Sequence, residues 1–361
     1  MYQTQLKALK KAGRFRQRKI FDASLVDLAS NDYLGLSTNK KQFKKAIKLV
    51  EQYNTFAPKA SMLVNGYHPI HKLFEERLAS LNGFEEGLVV GSGFLANMSL
   101  IEALVRKGDR LFMDAEYHAS GVMASGLLGD RVVFFEHNNA KDLEKKLLES
   151  NAKRKIVAVE GVYSMSGALC SREIFAVVEK HKALMIVDEA HSSGVLGEHL
   201  LGVFEYYDIA VTPYHIKMGT LGKAYGSYGA YILASSELIS FLENRAKPVI
   251  YSTAPSVFDT ALALVNIEFV ANNSYHYHQK IQKRLEIVKE FTGIESKSLI
   301  IALSKESNQK VIEIQTQLIA KGFLVGAIRQ PTVTEPIIRL IPQLGVSKRE
   351  LRRVLELILM I

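Results

Sequence analysis

One cysteine, Cys170, stands in a chain of 361 residues. A single thiol excludes an intramolecular disulfide framework and a cysteine-rich zinc module, and it suggests a reducing cytoplasm. Long apolar runs are missing too. The longest stretch without a charge, Gly87 to Ile101, has 15 residues and is broken by Gly, Ser and Asn; a membrane-spanning helix needs about 20. Residues 1–11 lack the apolar region and small-residue cleavage site of a signal peptide. Basic and amphipathic, they read as a helix leading into the body of the protein in preference to a transit peptide. No internal repeat, low-complexity tract or Pro/Gly-rich linker interrupts the sequence. An acidic excess is also absent: 46 Lys+Arg against 37 Asp+Glu leave a formal charge of +9. That charge is spread in short groups, which favours attraction for anionic substrates over nucleic-acid binding. Neither nucleic acid nor a membrane is an expected partner.

What is present is the composition of an ordinary globular protein, 48% hydrophobic and 23% charged, in a length that suits about two domains. Short apolar runs alternate with longer periodic segments, as buried parallel strands and their covering helices do, so the pattern predicts an α/β fold. Strands are expected at Gly87–Val90, Arg110–Met113, Arg131–Phe135, Lys155–Val159, Leu184–Val187, Ile209–Val211 and Ala230–Leu233. Helices are expected at His71–Leu81, Ala140–Glu149 and Arg172–His181. From Pro255 the pattern becomes one long helix to about Lys289, then strand-like pieces at Leu299–Leu303 and Ile337–Ile341, and a closing helix from Lys348. The organisation expected is an N-terminal segment (1–45), a large domain (46–255) and a smaller α+β domain (256–361).

Three constellations can carry chemistry. In Leu184-Met-Ile-Val-Asp188-Glu-Ala-His191 an apolar strand ends on a carboxylate, at the strand end where open α/β sheets collect ligands. Asp188 is there either a loop cap or a ligand-facing acid. In the stretch from Lys217 to Gly229, Lys223 sits among four glycines, which suggests close backbone approach or positive φ. A phosphate-binding P-loop fails, because Lys217 and Ala224 stand where it needs Gly and Ser or Thr. The third, Leu88-Val-Val-Gly91-Ser-Gly93-Phe-Leu-Ala96, runs from strand through glycine turn to helix. It fits a dinucleotide fingerprint and, more generally, an anion site at a helix N-terminus. One ligand explains all three. Pyridoxal phosphate needs a lysine for its aldehyde, a carboxylate for its pyridine nitrogen and amides for its phosphate.

A longer series of motifs then makes the resemblance specific. Asn31-Asp-Tyr-Leu-Gly-Leu-Ser37, Gly66-Tyr-His-Pro-Ile-His71, Asp114-Ala-Glu-Tyr-His-Ala-Ser120, Glu160-Gly-Val-Tyr-Ser-Met165, Val187-Asp-Glu-Ala-His-Ser192, Gly219-Thr-Leu-Gly-Lys-Ala224, Tyr251-Ser-Thr253 and Arg329-Gln-Pro-Thr-Val333 occur in order along nearly the whole chain. They resemble the α-oxoamine synthases, pyridoxal-phosphate enzymes of the aspartate aminotransferase fold. That fold has a mostly parallel central sheet covered by helices, with a smaller C-terminal α+β domain.

The resemblance implies a role for each matched residue. Lys223 is the Schiff-base lysine and later the base for the α-proton, Asp188 the partner of the pyridine nitrogen, and His118 the ring-stacking histidine. His191 lies near the phenolic oxygen. Ser92, Gly93, Phe94 and Thr220 hold the phosphate, and Thr253 reaches it from the neighbouring subunit of a homodimer. Ser164 lies near the ring, and Asn31 and Arg339 near the amino-acid carboxylate. No metal is implied.

Within the family the chain most resembles the branch that condenses L-alanine with a pimeloyl thioester of CoA or acyl carrier protein, releasing carbon dioxide. Sister chemistries take glycine or serine with other acyl-CoA donors, and the alternative of another class is an NAD-binding oxidoreductase using the Gly91–Ala96 turn. Two departures from the family pattern stand at Met62, where many members carry Arg, and at Ser166-Gly167-Ala168.

Overall fold

The structure is a computed structural model that describes residues 1–12 and 14–361. Strand β1 is Val26–Leu28. The strands β2 (Glu86–Val90), β3 (Arg110–Asp114), β4 (Val132–Phe135), β5 (Lys155–Glu160), β6 (Leu184–Asp188), β7 (His215–Thr220) and β8 (Ala230–Ala234) form one seven-stranded sheet. Its order is β2-β8-β7-β6-β5-β3-β4, parallel from β7 to β4 and antiparallel where β8 joins β7 and β2. Nearly every residue of β5, β6, β7 and β8 is buried, so these strands read as continuous apolar runs.

Helices cover both faces. Pro69–Asn82, Arg172–Lys180 and Val257–Ala271 contribute to an apolar cluster that includes Val157, Val187 and Leu233. Gly93–Leu104 and Ser236–Arg245 contribute to a second with Ala158, Ile186 and Ile232. Consecutive residues of one strand thus feed opposite layers, the period-two consequence of the pleat. Each fully buried aliphatic side chain contributes about 1.5–3 kcal/mol.

A second sheet, β1-β10-β11-β9, uses β9 (Ile301–Ser304), β10 (Phe323–Ile328) and β11 (Ile337–Leu340). Its outer strand β1 comes from the N-terminal part of the chain and runs parallel to β10. Helices Asn308–Ala320 and Lys348–Met360 close a separate apolar cluster over it.

Three expectations meet a different structure. Ile209–Val211 is irregular: Asp208 takes φ +54, and Pro213 follows. The neighbouring strand is instead β7, disguised by Lys217 at its centre. The expected long helix is two, Val257–Ala271 and Ser274–Thr292. Asn272 and Asn273 separate them, and the Asn273 amide donates to the Phe269 carbonyl at 2.7 Å, the local competition by which asparagine ends helices. Third, helix Asn308–Ala320 and strands β1 and β10 complete the C-terminal lobe where only two strand-like pieces and a helix are expected.

Candidate active site

The site forms beyond the carboxyl ends of β5, β6 and β7. Asp188, last in β6, is 4% exposed. Its Oδ1 accepts from the Ala190 amide and its Oδ2 from Asn97 Nδ2, both at 3.0 Å. Asn97 sits one turn inside helix Gly93–Leu104. Its second hydrogen reaches Ser120 Oγ at 3.0 Å, while its Oδ1 accepts from Tyr117 Oη at 2.7 Å. Asp188 is therefore fixed by a fully engaged amide, the arrangement that makes a buried polar network rigid.

Lys223 follows β7 in a turn where Gly226, at φ +55, lies against Leu36 so closely that a Cβ would stand 2.8 Å from its carbonyl carbon. Burial pushes the Lys223 ammonium down to about 8, against the charges of Asp188 and Glu160, which pull it up; Arg339 lowers it further. Its Nζ lies 2.7 Å from His191 Nε2, and His191 Nδ1 lies 2.5 Å from Tyr33 Oη. Burial first, then the Lys223 and Arg339 cations, hold His191 far below the usual histidine range, so its ring is neutral. Tyr33 Oη also reaches Asn31 Oδ1 at 3.3 Å, and Arg339 donates to that oxygen at 3.0 Å and to the Ser164 carbonyl at 2.8 Å. One assignment satisfies the chain: Lys223 donates to Nε2, Nδ1–H donates to Tyr33, and Tyr33 donates to Asn31.

Ser92 caps helix Gly93–Leu104, accepting from the Leu95 amide at 3.3 Å. A Cβ on Gly93 would stand 4.0 Å from Thr220 Cβ. The helix N-terminus and Thr220 thus face one another, an anion cradle built of amides and a hydroxyl. Thr220 Oγ1 donates to the Gly229 carbonyl at 3.0 Å, and Phe94 is half exposed beside it. His118 lies at the mouth, its Nδ1 2.7 Å from Ser120 Oγ. Desolvation lowers its pKa; Asp188 opposes this and Lys223 adds to it. The structure thus joins Lys223, His191, Asn31, Arg339 and Ser164 in one network through Tyr33, and Asp188 and His118 in another through Asn97 and Ser120, while Ser92, Gly93 and Phe94 open the helix that faces Thr220.

Thr253 stands apart. It is exposed on the loop after Lys247–Ile250, and among the described residues no hydrogen bond ties it to the others. The loop itself is anchored by Ala254 N to the Ala60 carbonyl and by His71 Nε2 to the Pro255 carbonyl, both at 3.0 Å. Sequence reasoning passed over Asn97, Tyr33, Ser120 and Glu160. Asn97 carries a usable signal, an amide one turn into the helix that opens on Gly93.

The sequence pattern of the class I and II aminotransferases matches residues 23–358. The 8-amino-7-oxononanoate synthase of Helicobacter pylori (strain ATCC 700392 / 26695) is 47% identical over 341 residues, 94% of this chain and 91% of that one. Among solved structures, a serine palmitoyltransferase from S. paucimobilis with bound PLP superposes at a TM-score of 0.87, with 22% identity, over 98% of this chain and 94% of that one. The 8-amino-7-oxononanoate synthase of Francisella tularensis gives 0.79, with 23% identity, over 93% and 97%. The chain belongs to the class I and II aminotransferase family and, within it, to the α-oxoamine synthases.

Proposed function

We propose that the chain is a pyridoxal-phosphate enzyme that joins L-alanine to a pimeloyl thioester, releasing carbon dioxide, the free thiol and 8-amino-7-oxononanoate. The observation that carries this reading is a buried lysine amine with a pKa of about 8 within the electrostatic reach of Asp188, a carboxylate that is itself fixed by Asn97 of the helix Gly93–Leu104. The extensive identity to the Helicobacter pylori enzyme supports the choice of substrates.

The residues fit the cofactor. Thr220 and the amides of Ser92, Gly93 and Phe94 would hold its phosphate, Asp188 its ring nitrogen, and His118 would cover the ring. Bound there, pyridoxal phosphate supplies an aldehyde and an electron-withdrawing ring. Lys223 Nζ, as the free amine, would be the group that meets that aldehyde. At a pKa of about 8 roughly one molecule in ten presents that amine at pH 7, against about one in three thousand at an ordinary 10.5. With alanine in place, the same Nζ, beside a neutral His191, would be the group that takes the α-proton and returns a proton to product. Arg339 and Asn31, joined to each other, present a cation and an amide to the alanine carboxylate. Asp188, buried and hydrogen-bonded by Asn97, keeps a proton at the ring nitrogen.

In the single chain Phe94, Met123 and Tyr251 are exposed apolar side chains. A second copy would cover them and bring Thr253 to the phosphate, making a homodimer with shared sites. The fold has no helix long and apolar enough to cross a membrane among its described residues, and we place the enzyme in the cytoplasm. The test is direct: incubate the purified protein with alanine, glycine or serine against pimeloyl, acetyl, succinyl and palmitoyl thioesters and identify products by mass. Alanine with the pimeloyl donor should dominate; a dominant product from another pair overturns the assignment.

A further inference from the structure

The motif Gly66-Tyr-His-Pro-Ile-His71 has no part in the chemistry above, yet its last residue is fully buried. His71 is the third residue of helix Pro69–Asn82. Its Nδ1 accepts from the His68 amide at 3.2 Å, and His68 Nδ1 accepts from the Ile70 amide at 3.1 Å, so the two rings cap the helix reciprocally. Burial pushes the His71 pKa down to about 4; the Pro255 carbonyl opposes this and His68 adds to it. The ring is neutral, and with Nδ1 an acceptor its hydrogen is on Nε2.

The cap needs only Nδ1. The other nitrogen reaches 184 positions along the chain, where Nε2–H donates to the Pro255 carbonyl at 3.0 Å. One residue before Pro255, the Ala254 amide donates to the Ala60 carbonyl at 3.0 Å. Gly66 packs behind that carbonyl, so closely that a Cβ would stand 2.1 Å from its oxygen. On the near side of the loop the Tyr251 amide donates to the Lys247 carbonyl at 2.9 Å. On the far side Ser256 caps helix Val257–Ala271, accepting from the Asp259 amide at 3.2 Å.

Residues 60–71 thus clamp the loop at two consecutive positions, immediately after Thr253. Thr253 itself stays exposed, as does Tyr251. A loop pinned on both flanks with its middle in the open is built to present a side chain to something outside its own chain. We infer that His71 is a positioning residue for the neighbouring subunit's cofactor: its Nε2–H, through Pro255, holds Thr253 where the phosphate bound by the other subunit meets it. The cap serves its own chain; the clamp serves the other.

This rests on the shared-site homodimer proposed above, and mixed dimers separate the two. Differently tagged chains are co-expressed and the heterodimer is purified through both tags. One chain carries Lys223→Ala, so the reducible chromophore forms only on the other, and its absorbance gives the cofactor dissociation constant. Asn offers a polar atom near the Nδ1 position and keeps the cap but is too short for Pro255, whereas Gln extends an N–H as far as Nε2. His71→Asn on the Lys223→Ala chain should loosen the cofactor of the other chain about threefold, the scale of one lost hydrogen bond. On the chain that bears the chromophore it should change nothing, and His71→Gln should bind as wild type in either place. Loosening on the substituted chain's own site, or none across the dimer, overturns the inference. So does His71→Gln as loose as His71→Asn, or a His71→Asn chain that circular dichroism shows unfolded, which would make the residue one of stability. Thr253→Val, placed in the same two ways, tests the underlying reading. No effect of Thr253→Val across the dimer refutes the shared site itself; an effect of Thr253→Val with none of His71→Asn refutes only the role of His71.

Discussion

Asp188 and Glu189 are adjacent, and each is matched with a lysine from the β7 segment, but they face opposite sides of the sheet and opposite fates. Glu189 is closed. It accepts from Ser192 Oγ and from the Val203 amide, and lies 3.7 Å from Lys217 Nζ. Lys217, 1% exposed, also donates to Asn82 Oδ1 at 2.8 Å and to the Leu201 carbonyl. Burial lowers its pKa, and Glu189 and Glu205 oppose that. Every donor and acceptor is used inside the protein, so this pair has nothing to offer a ligand. Asp188 and Lys223 are open: the acid is steadied by Asn97, and the amine touches only a neutral histidine. Burial without full compensation is what turns a lysine into a nucleophile.

The sharpest way to break this comparison is to exchange the lysines' fates. Lys223→Ala should abolish the yellow chromophore and lower kcat by about a thousandfold or more, measured by absorbance and product mass, while leaving the melting temperature nearly unchanged. Lys217→Met should do the reverse. It strands Glu189 as a buried unpaired charge and should cost about 3–5 kcal/mol in denaturant unfolding, yet the fraction that folds should bind the cofactor.

Smaller effects test what keeps the open pair usable. Asn97→Ala removes the donor that holds Asp188 and should weaken cofactor affinity about tenfold, or roughly 1–2 kcal/mol, with little effect on the Lys217 pair. The pH dependence has a definite sign. Because the Lys223 pKa is depressed to about 8, the rate at which cofactor-free protein captures the aldehyde should rise with pH and level off above about 8; a rise continuing to 10.5 would mean an ordinary lysine. On the proposed homodimer, Thr253→Val should loosen the cofactor by a few-fold at most.

Much of the large sheet was legible because its strands are short apolar runs between polar helices, and β2 through β6 and β8 fall within about a residue or two of their expected limits. Asp188 and Lys223 were legible for a related reason: a charge closing an apolar strand and a lysine among glycines are local anomalies. What escaped is non-local. Lys217 hid β7, because a lysine in a strand looks exposed until Glu189, Asn82 and Leu201 are seen around it. Tyr33 meets His191 from 158 positions away and Asn97 meets Asp188 from 91; neither pairing leaves a trace in spacing. Strand β1, three residues long, exists only because β10 offers it an edge.

The most direct test is to add pyridoxal phosphate to the purified protein, reduce with borohydride, digest, and locate the modified residue by mass. The account predicts stable pyridoxyl labelling of Lys223 and an unlabelled Lys217, six residues away on the same segment. Labelling of Lys217, or none at Lys223, would contradict it.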